Sequence, residues 1–244
     1  HVICPFVRAQ VGEIRLQSDP YYRMVDLLVV PSTCQHIRKV ADVVELFYPT
    51  PVFKLGVPYE LADSFSLTFF RDRFADLRAR LAEMTGSSVS DESIDEAITL
   101  YNRMRELFKA ISLTRAGDGP AVSAIEFAKL NHASFYADPA EMVEVLQEVH
   151  DELLGAAPVA SGADQVAADG QPRLALVGPN LGYGDYDILE IVEECGGKVV
   201  IEDIFEGIRD YWHSVTPGSD PIEALARAYL FDKVPQMFMR SSAA

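Results

Sequence analysis

The sequence predicts an α/β protein with two parallel-sheet lobes, Rossmann-like or flavodoxin-like and both incomplete, separated by a mainly helical segment. Three observations predict it. Short apolar runs alternate with helix-compatible stretches near both ends, which is the pattern of parallel strands joined by crossover helices. Between them the apolar residues recur at helical spacing behind legible caps. A small, turn-rich stretch without periodicity then precedes the second α/β region. The implied boundaries are a partial first lobe over 1–62, a helical segment over 63–154, a linker over 155–172 and a partial second lobe over 173–244.

In the first lobe, Asp26–Pro31 (DLLVVP) and Pro51–Val57 (PVFKLGV) are bounded apolar runs, and Gln35–Phe47 between them suits a helix, giving a β-α-β unit. HVICPF at the start reads as the end of a strand entering a functional loop, and His1 in place of Met points to sequence missing upstream. In the helical segment Gly86 closes one helix, and Ser90 precedes an acidic first turn followed by Ile94, Ala97, Ile98, Tyr101, Met104 and Phe108 along one face. Ser123 with Glu126, and Asp138 with Pro139 and Glu141, are capping-box patterns. GAAPVASGADQVAADGQP over 155–172 is the linker. Beyond it Arg173–Val177 and Lys198–Ile201 read as strands, Tyr186–Cys195 as a helix, and Asp220–Leu230 as a helix capped by Asp220, Pro221 and Glu223. No repeat of fixed period occurs.

Composition narrows the function classes. With 49% hydrophobic residues in 244, the chain has what a sizeable buried core needs. A formal net charge of -16 repels phosphate backbones and anionic lipid surfaces, so nucleic acid and membrane are not expected partners. No apolar run is long enough to span a bilayer and no secretory leader is visible. Three scattered cysteines do not make a disulfide framework, which suits a reducing compartment, and the expectation is a cytoplasmic protein.

Two of those cysteines carry the chemistry. Cys4 follows HVI, and Cys34 lies three residues beyond DLLVVP where a helix begins, so both are expected at the carboxyl edge of one sheet. Open α/β sheets place their ligands there, because strand ends and helix N-termini leave a crevice with unpaired N–H groups. Thiolates at such positions select iron-sulfur clusters or zinc. Position alone leaves ligation and ordinary packing both open, since free cysteine is commonly buried. Cys195 shares helical spacing with Ile188, Ile191 and Val192, which predicts a core position.

The loop GPNLGYGD has Gly178, Gly182 and Gly184 but fits neither dinucleotide nor P-loop spacing, so it reads as a tight turn. His36 stands beside Cys34, while His132, His150 and His213 are scattered, and surface or capping roles are expected of them rather than ligation. Asp91, Glu92, Asp95 and Glu96 form a solvated helix face. No familiar hydrolase or metalloprotease signature occurs.

The phrases CPFVRAQVGE (Cys4–Glu13), DLLVVPSTCQHIRK (Asp26–Lys39), FKLGVPY (Phe53–Tyr59), MTGSSVSDESIDEAITLYNRMRELF and GPNLGYGDYDILEIVEECGGKVVIEDIFEGIRDYW (Gly178–Trp212) run through nearly the whole chain. Together they resemble the 2-hydroxyacyl-CoA dehydratase and benzoyl-CoA reductase family, with EGIRDYW leaning toward the reductase-like branch. The resemblance implies a subunit with two α/β lobes and a helical portion, and a [4Fe-4S] cluster held by three cysteines with an open iron facing an acyl-CoA thioester. It also implies a homologous partner subunit and an ATP-hydrolysing activator that delivers a low-potential electron. In dehydratases the electron goes to the thioester carbonyl; in reductases it goes to an aromatic ring. Carried over by position, Cys4 matches the first cluster cysteine and Cys34 the second. Gln35 stands where many members have Asp after the second cysteine. The third cluster cysteine is expected beyond Ala244, and Cys195 does not match it. Two other classes stay open: a double-cubane-type relative that reduces small non-CoA molecules, and a non-catalytic partner subunit whose cysteines only pack.

Overall fold

The computed structural model describes residues 3–17, 20–60, 64–117, 121–156, 170–178 and 180–232. They form two compact units: one comprises the described residues up to Ser90 together with Leu225–Phe231, the other Asp91–Ala224 with Asp232.

The first unit is built on the anticipated β-α-β element. Strand β1 (Leu28–Pro31) pairs in parallel with β2 (Val52–Leu55), Leu28 opposite Val52 and Pro31 opposite Leu55. Their crossover is a helix, numbered α2, over Ile37–Phe47. It buries Val40, Ala41 and Val44 at i, i+1 and i+4, the stripe that faces the sheet. Ahead of β1 stands a helix that the reading of HVICPF as a strand entering a loop does not contain, α1 (Pro5–Leu16). Pro5 sits at its first position, where a missing N–H costs nothing. Val7, Val40 and Val44 form a small core, against which Val11, Ile14 and Ile37 pack. His1 and Val2 of the anticipated strand lie outside the described residues. Helix α3 (Ser64–Thr85) follows β2 and stops before Gly86, whose φ of +69° is the left-handed conformation that ends helices. Phe70 of α3 meets Leu55, and the returning segment contributes Ala226 and Leu230 to the same cluster.

The second unit contains α4 (Asp91–Thr114), α5 (Ala124–Ala133), α6 (Pro139–Ala156), β3 (Arg173–Val177), α7 (Asp187–Glu194), β4 (Lys198–Asp203), α8 (Ile208–Tyr211) and the start of α9 (Pro221–Arg227), which runs into a π-helical turn at Ala228–Asp232. The linker reading falls mostly on 157–169, outside the described residues. Strands β3 and β4 pair in parallel with an irregularity between Leu174 and Ala175. Met104, Leu107, Phe108 and Ile111 of α4, Phe127 of α5, Met142 and Leu146 of α6, and Tyr211 of α8 form one core. Phe108, Phe127 and Tyr211 meet with centroids 5.7–6.0 Å apart. The stripe read on α4 narrows: Ile98, Met104 and Phe108 are buried, but Ala97 and Tyr101 face solvent beside Asp91, Glu92, Asp95 and Glu96.

Several side chains do backbone work. Asn102 accepts from the Val215 amide at 2.8 Å and donates to its carbonyl at 2.7 Å, pairing a loop to α4 across 113 residues. Ser123 accepts from the Glu126 amide at 3.1 Å while the Glu126 carboxylate accepts from the Ser123 amide at 2.8 Å, the reciprocal box expected at α5. Ser123→Ala is expected to cost about 1 kcal/mol in chemical denaturation, because one orphan amide of the first turn loses its acceptor. Asp138 and Asp220 also cap α6 and α9, each accepting two backbone N–H groups.

Candidate functional site

Cys4 is the residue immediately before α1, with φ of −45° and ψ of 136°, and its side chain makes no capping bond. Its amide donates to Nδ1 of His36 at 3.3 Å. Its side chain is half-buried and leans on the Val7, Val40 and Val44 cluster. Cys34 follows β1 by three residues, at the carboxyl edge of the first sheet as anticipated. Its Sγ accepts from the amide of Ile37, the first residue of α2, at 3.4 Å.

The chain therefore gathers both cysteines around one short segment. Ile37 gives its N–H to Cys34 and its side chain to the cluster that Cys4 joins, and His36 next to it accepts from Cys4. Both thiols are free. The Cys34 sulfur accepts an amide N–H at the start of α2, the kind of bond by which proteins tune iron-bound sulfur. The donor set is soft and sulfur-rich, so it fits part of an iron-sulfur group. Among the described residues no group of three or more His, Cys, Asp or Glu side chains is placed to hold a metal ion.

Cys195 is a correction. It is exposed, and the core position predicted for it belongs to Leu189, which is fully buried. Helix α7 is apolar on two faces. Leu189 and Val192 turn to Val199, Ile204 and Ala128, which leaves Ile188 and Ile191 in solvent. The helix also ends at Glu194, so Cys195 is already its C-terminal flanking residue.

The glycine loop is the tight turn expected of it: the Asp185 amide bonds the Gly182 carbonyl at 3.0 Å, and Gly184 has φ of +84°. What holds it was not visible in sequence. Glu206, after β4, accepts from Asn180 Nδ2 at 2.9 Å and from the Leu181 amide at 3.2 Å. His132 is a second correction, because it is buried at 4% exposure rather than on the surface. Its Nδ1 meets the Tyr186 hydroxyl at 3.0 Å, and it also bonds the backbone of Leu181. Burial holds its pKa below the ordinary histidine value, against the pull of the Glu206 carboxylate and that backbone bond. Tyr183 and Tyr186 lie against its ring with centroids 5.9 and 5.6 Å away.

Beneath this loop Arg115 and Glu202 form a buried ion pair, bidentate at 2.5 and 2.6 Å, with exposures of 0% and 3%. The guanidinium stacks 3.9 Å from the Phe127 centroid and donates to Ser112, which also accepts from Tyr211. Burial raises the Tyr211 pKa, so the phenol remains a donor. Gly207 lets the chain pass: a Cβ there would lie 2.1 Å from the Glu202 carbonyl oxygen. The sequence clue is Glu202, an acidic residue directly after the apolar run VVI and still inside β4.

The family model of the 2-hydroxyglutaryl-CoA dehydratase D-component matches residues 1–243. The chain belongs to that family. Within it, the chain is 24% identical over 229 residues to the protein named Putative dehydratase subunit YjiM of Escherichia coli (strain K12), covering 93% of this chain and 58% of that one. It is 21% identical over 211 residues to a subunit of the benzoyl-CoA reductase of Thauera aromatica, covering 86% and 53%. It is 19% identical over 209 residues to the (R)-phenyllactyl-CoA dehydratase beta subunit of Clostridium sporogenes, covering 85% and 53%. The chain thus spans about half the length of the curated relatives it matches. The family match bears out the resemblance read from the quoted phrases, and the mixed helix and parallel-strand architecture bears out the fold class. No helix among the described residues is long and apolar enough to cross a membrane.

Proposed function

We propose that this chain is part of a cluster-bearing subunit of an acyl-CoA dehydratase or aromatic acyl-CoA reductase, with Cys4 and Cys34 as two ligands of a [4Fe-4S] cluster. The observation that carries the reading is the convergence of two cysteines on the His36–Ile37 segment after β1, Cys4 through its backbone amide and Cys34 through its sulfur, in a chain matched throughout by this family. The cluster, when bound, supplies a low-potential electron for a CoA thioester substrate. The residues of the chain do the rest. Cys4 and Cys34 hold iron, the Ile37 N–H bonds the Cys34 sulfur, and His36 fixes the backbone at Cys4. Val7, Val40 and Val44 shield one side of Cys4 from water, which strengthens electrostatic contacts there. A third thiolate comes from outside these 244 residues. The working enzyme further comprises a homologous partner subunit and an ATP-dependent activator, and it operates in the cytoplasm.

Iron and acid-labile sulfide in the full-length protein, purified without oxygen, test the reading. Both are expected, in equal amounts; a colourless, iron-free protein after reconstitution would overturn it. Offering the assembled enzyme 2-hydroxyacyl-CoA and aromatic acyl-CoA thioesters in turn separates dehydratase from reductase.

A further inference from the structure

The second unit has a small, largely apolar cavity that this chemistry does not use, with the polar residue Asn131 in its lining. It lies where β4 ends and the glycine loop begins, the edge at which parallel sheets hold ligands. Its volume is about 10 Å³, and Asn131, His132, Leu181, Glu202, Ile204 and Glu206 line it. That is close to the least space in which a water molecule fits.

The lining contains one unmet demand. Asn131 is 2% exposed, and neither Nδ2 nor Oδ1 has a hydrogen-bond partner among the described residues. A buried amide without partners is rare and costly, and a bound water is one of the explanations that remove the cost. The other polar side chains of the lining are already engaged. Both Glu202 oxygens bond Arg115, both Glu206 oxygens bond Asn180 or the Leu181 amide, and His132 bonds Tyr186 and Leu181.

This arrangement selects its occupant. Two carboxylates repel an anion. A cation would meet Oδ1 but leave Nδ2 unpaired, and an apolar group would satisfy neither. A neutral oxygen that both donates and accepts satisfies both. We propose that Asn131 binds one ordered water in this cavity, accepting from it through Oδ1 and donating to it through Nδ2. The water ties α5 to the end of β4 beneath the glycine loop. This stands independently of the cysteines, whose unit contributes no residue to the cavity.

A crystal structure of the wild-type full-length protein, at a resolution that orders solvent, tests it. One density peak within hydrogen-bond distance of both amide atoms of Asn131 is expected. No peak there, or an Asn131 amide turned onto a protein group, would overturn the proposal, and this map is decisive whatever any variant does. In Asn131→Leu, which keeps the bulk and removes both polar atoms, the peak is expected to vanish. Its persistence in that variant would show that other groups hold the water and would equally overturn the assignment.

Discussion

Glu202→Ala is expected to destabilise the second unit by about 3–5 kcal/mol in chemical denaturation, because it strands a guanidinium from which water is excluded. Arg115 is 0% exposed, and its main anionic partner is Glu202, held by two short bonds. The Ser112 hydroxyl and the Phe127 ring would remain beside the cation, but neither carries charge. Against a typical stability of about 5–15 kcal/mol, the loss leaves the unit near its unfolding threshold. The double variant Arg115→Met/Glu202→Leu is expected to recover most of the loss, since a buried pair replaced by apolar bulk is often neutral. A single variant that melts within about 1 kcal/mol of wild type would show that water reaches the guanidinium.

Replacing either Cys4 or Cys34 by serine in the full-length protein is expected to remove the bulk of its iron and, with it, all detectable turnover of the assembled enzyme. A hydroxyl is a harder, far weaker iron ligand than a thiolate. Both positions are half-buried, Cys4 against a small core, so the fold itself is expected to survive an oxygen-for-sulfur exchange. Iron content and visible absorption are read beside far-ultraviolet circular dichroism, which separates lost ligation from lost structure. Serine variants that retain wild-type iron would move the site elsewhere.

The elements easiest to read were those bounded by chemistry that acts locally. DLLVVP and PVFKLGV became paired strands because each is a short apolar run between polar ends. Ser123 and Glu126 sit three apart, so their mutual bonds could be read from spacing alone. Helix α1 carried a legible signal too, in Pro5 with Val7, Val11 and Ile14, but a strand reading of the three residues before it competed. Cys195 misled because α7 has two apolar faces, and periodicity cannot say which meets a core supplied by β4 and α5. The Cys4–His36 bond spans 32 positions, and the His132–Tyr186 and Arg115–Glu202 contacts span 54 and 87. No local pattern encodes such partners; they exist only once the chain is folded.

The exposure of Cys195 bears on handling as well as on folding. Of the three sulfurs it is the one that solvent-borne oxidants and alkylating probes reach most readily. Air would join two molecules through this position and mimic an oligomer on a sizing column. The same accessibility makes it a convenient attachment point for a fluorophore or a spin label, at a position remote in sequence from Cys4 and Cys34.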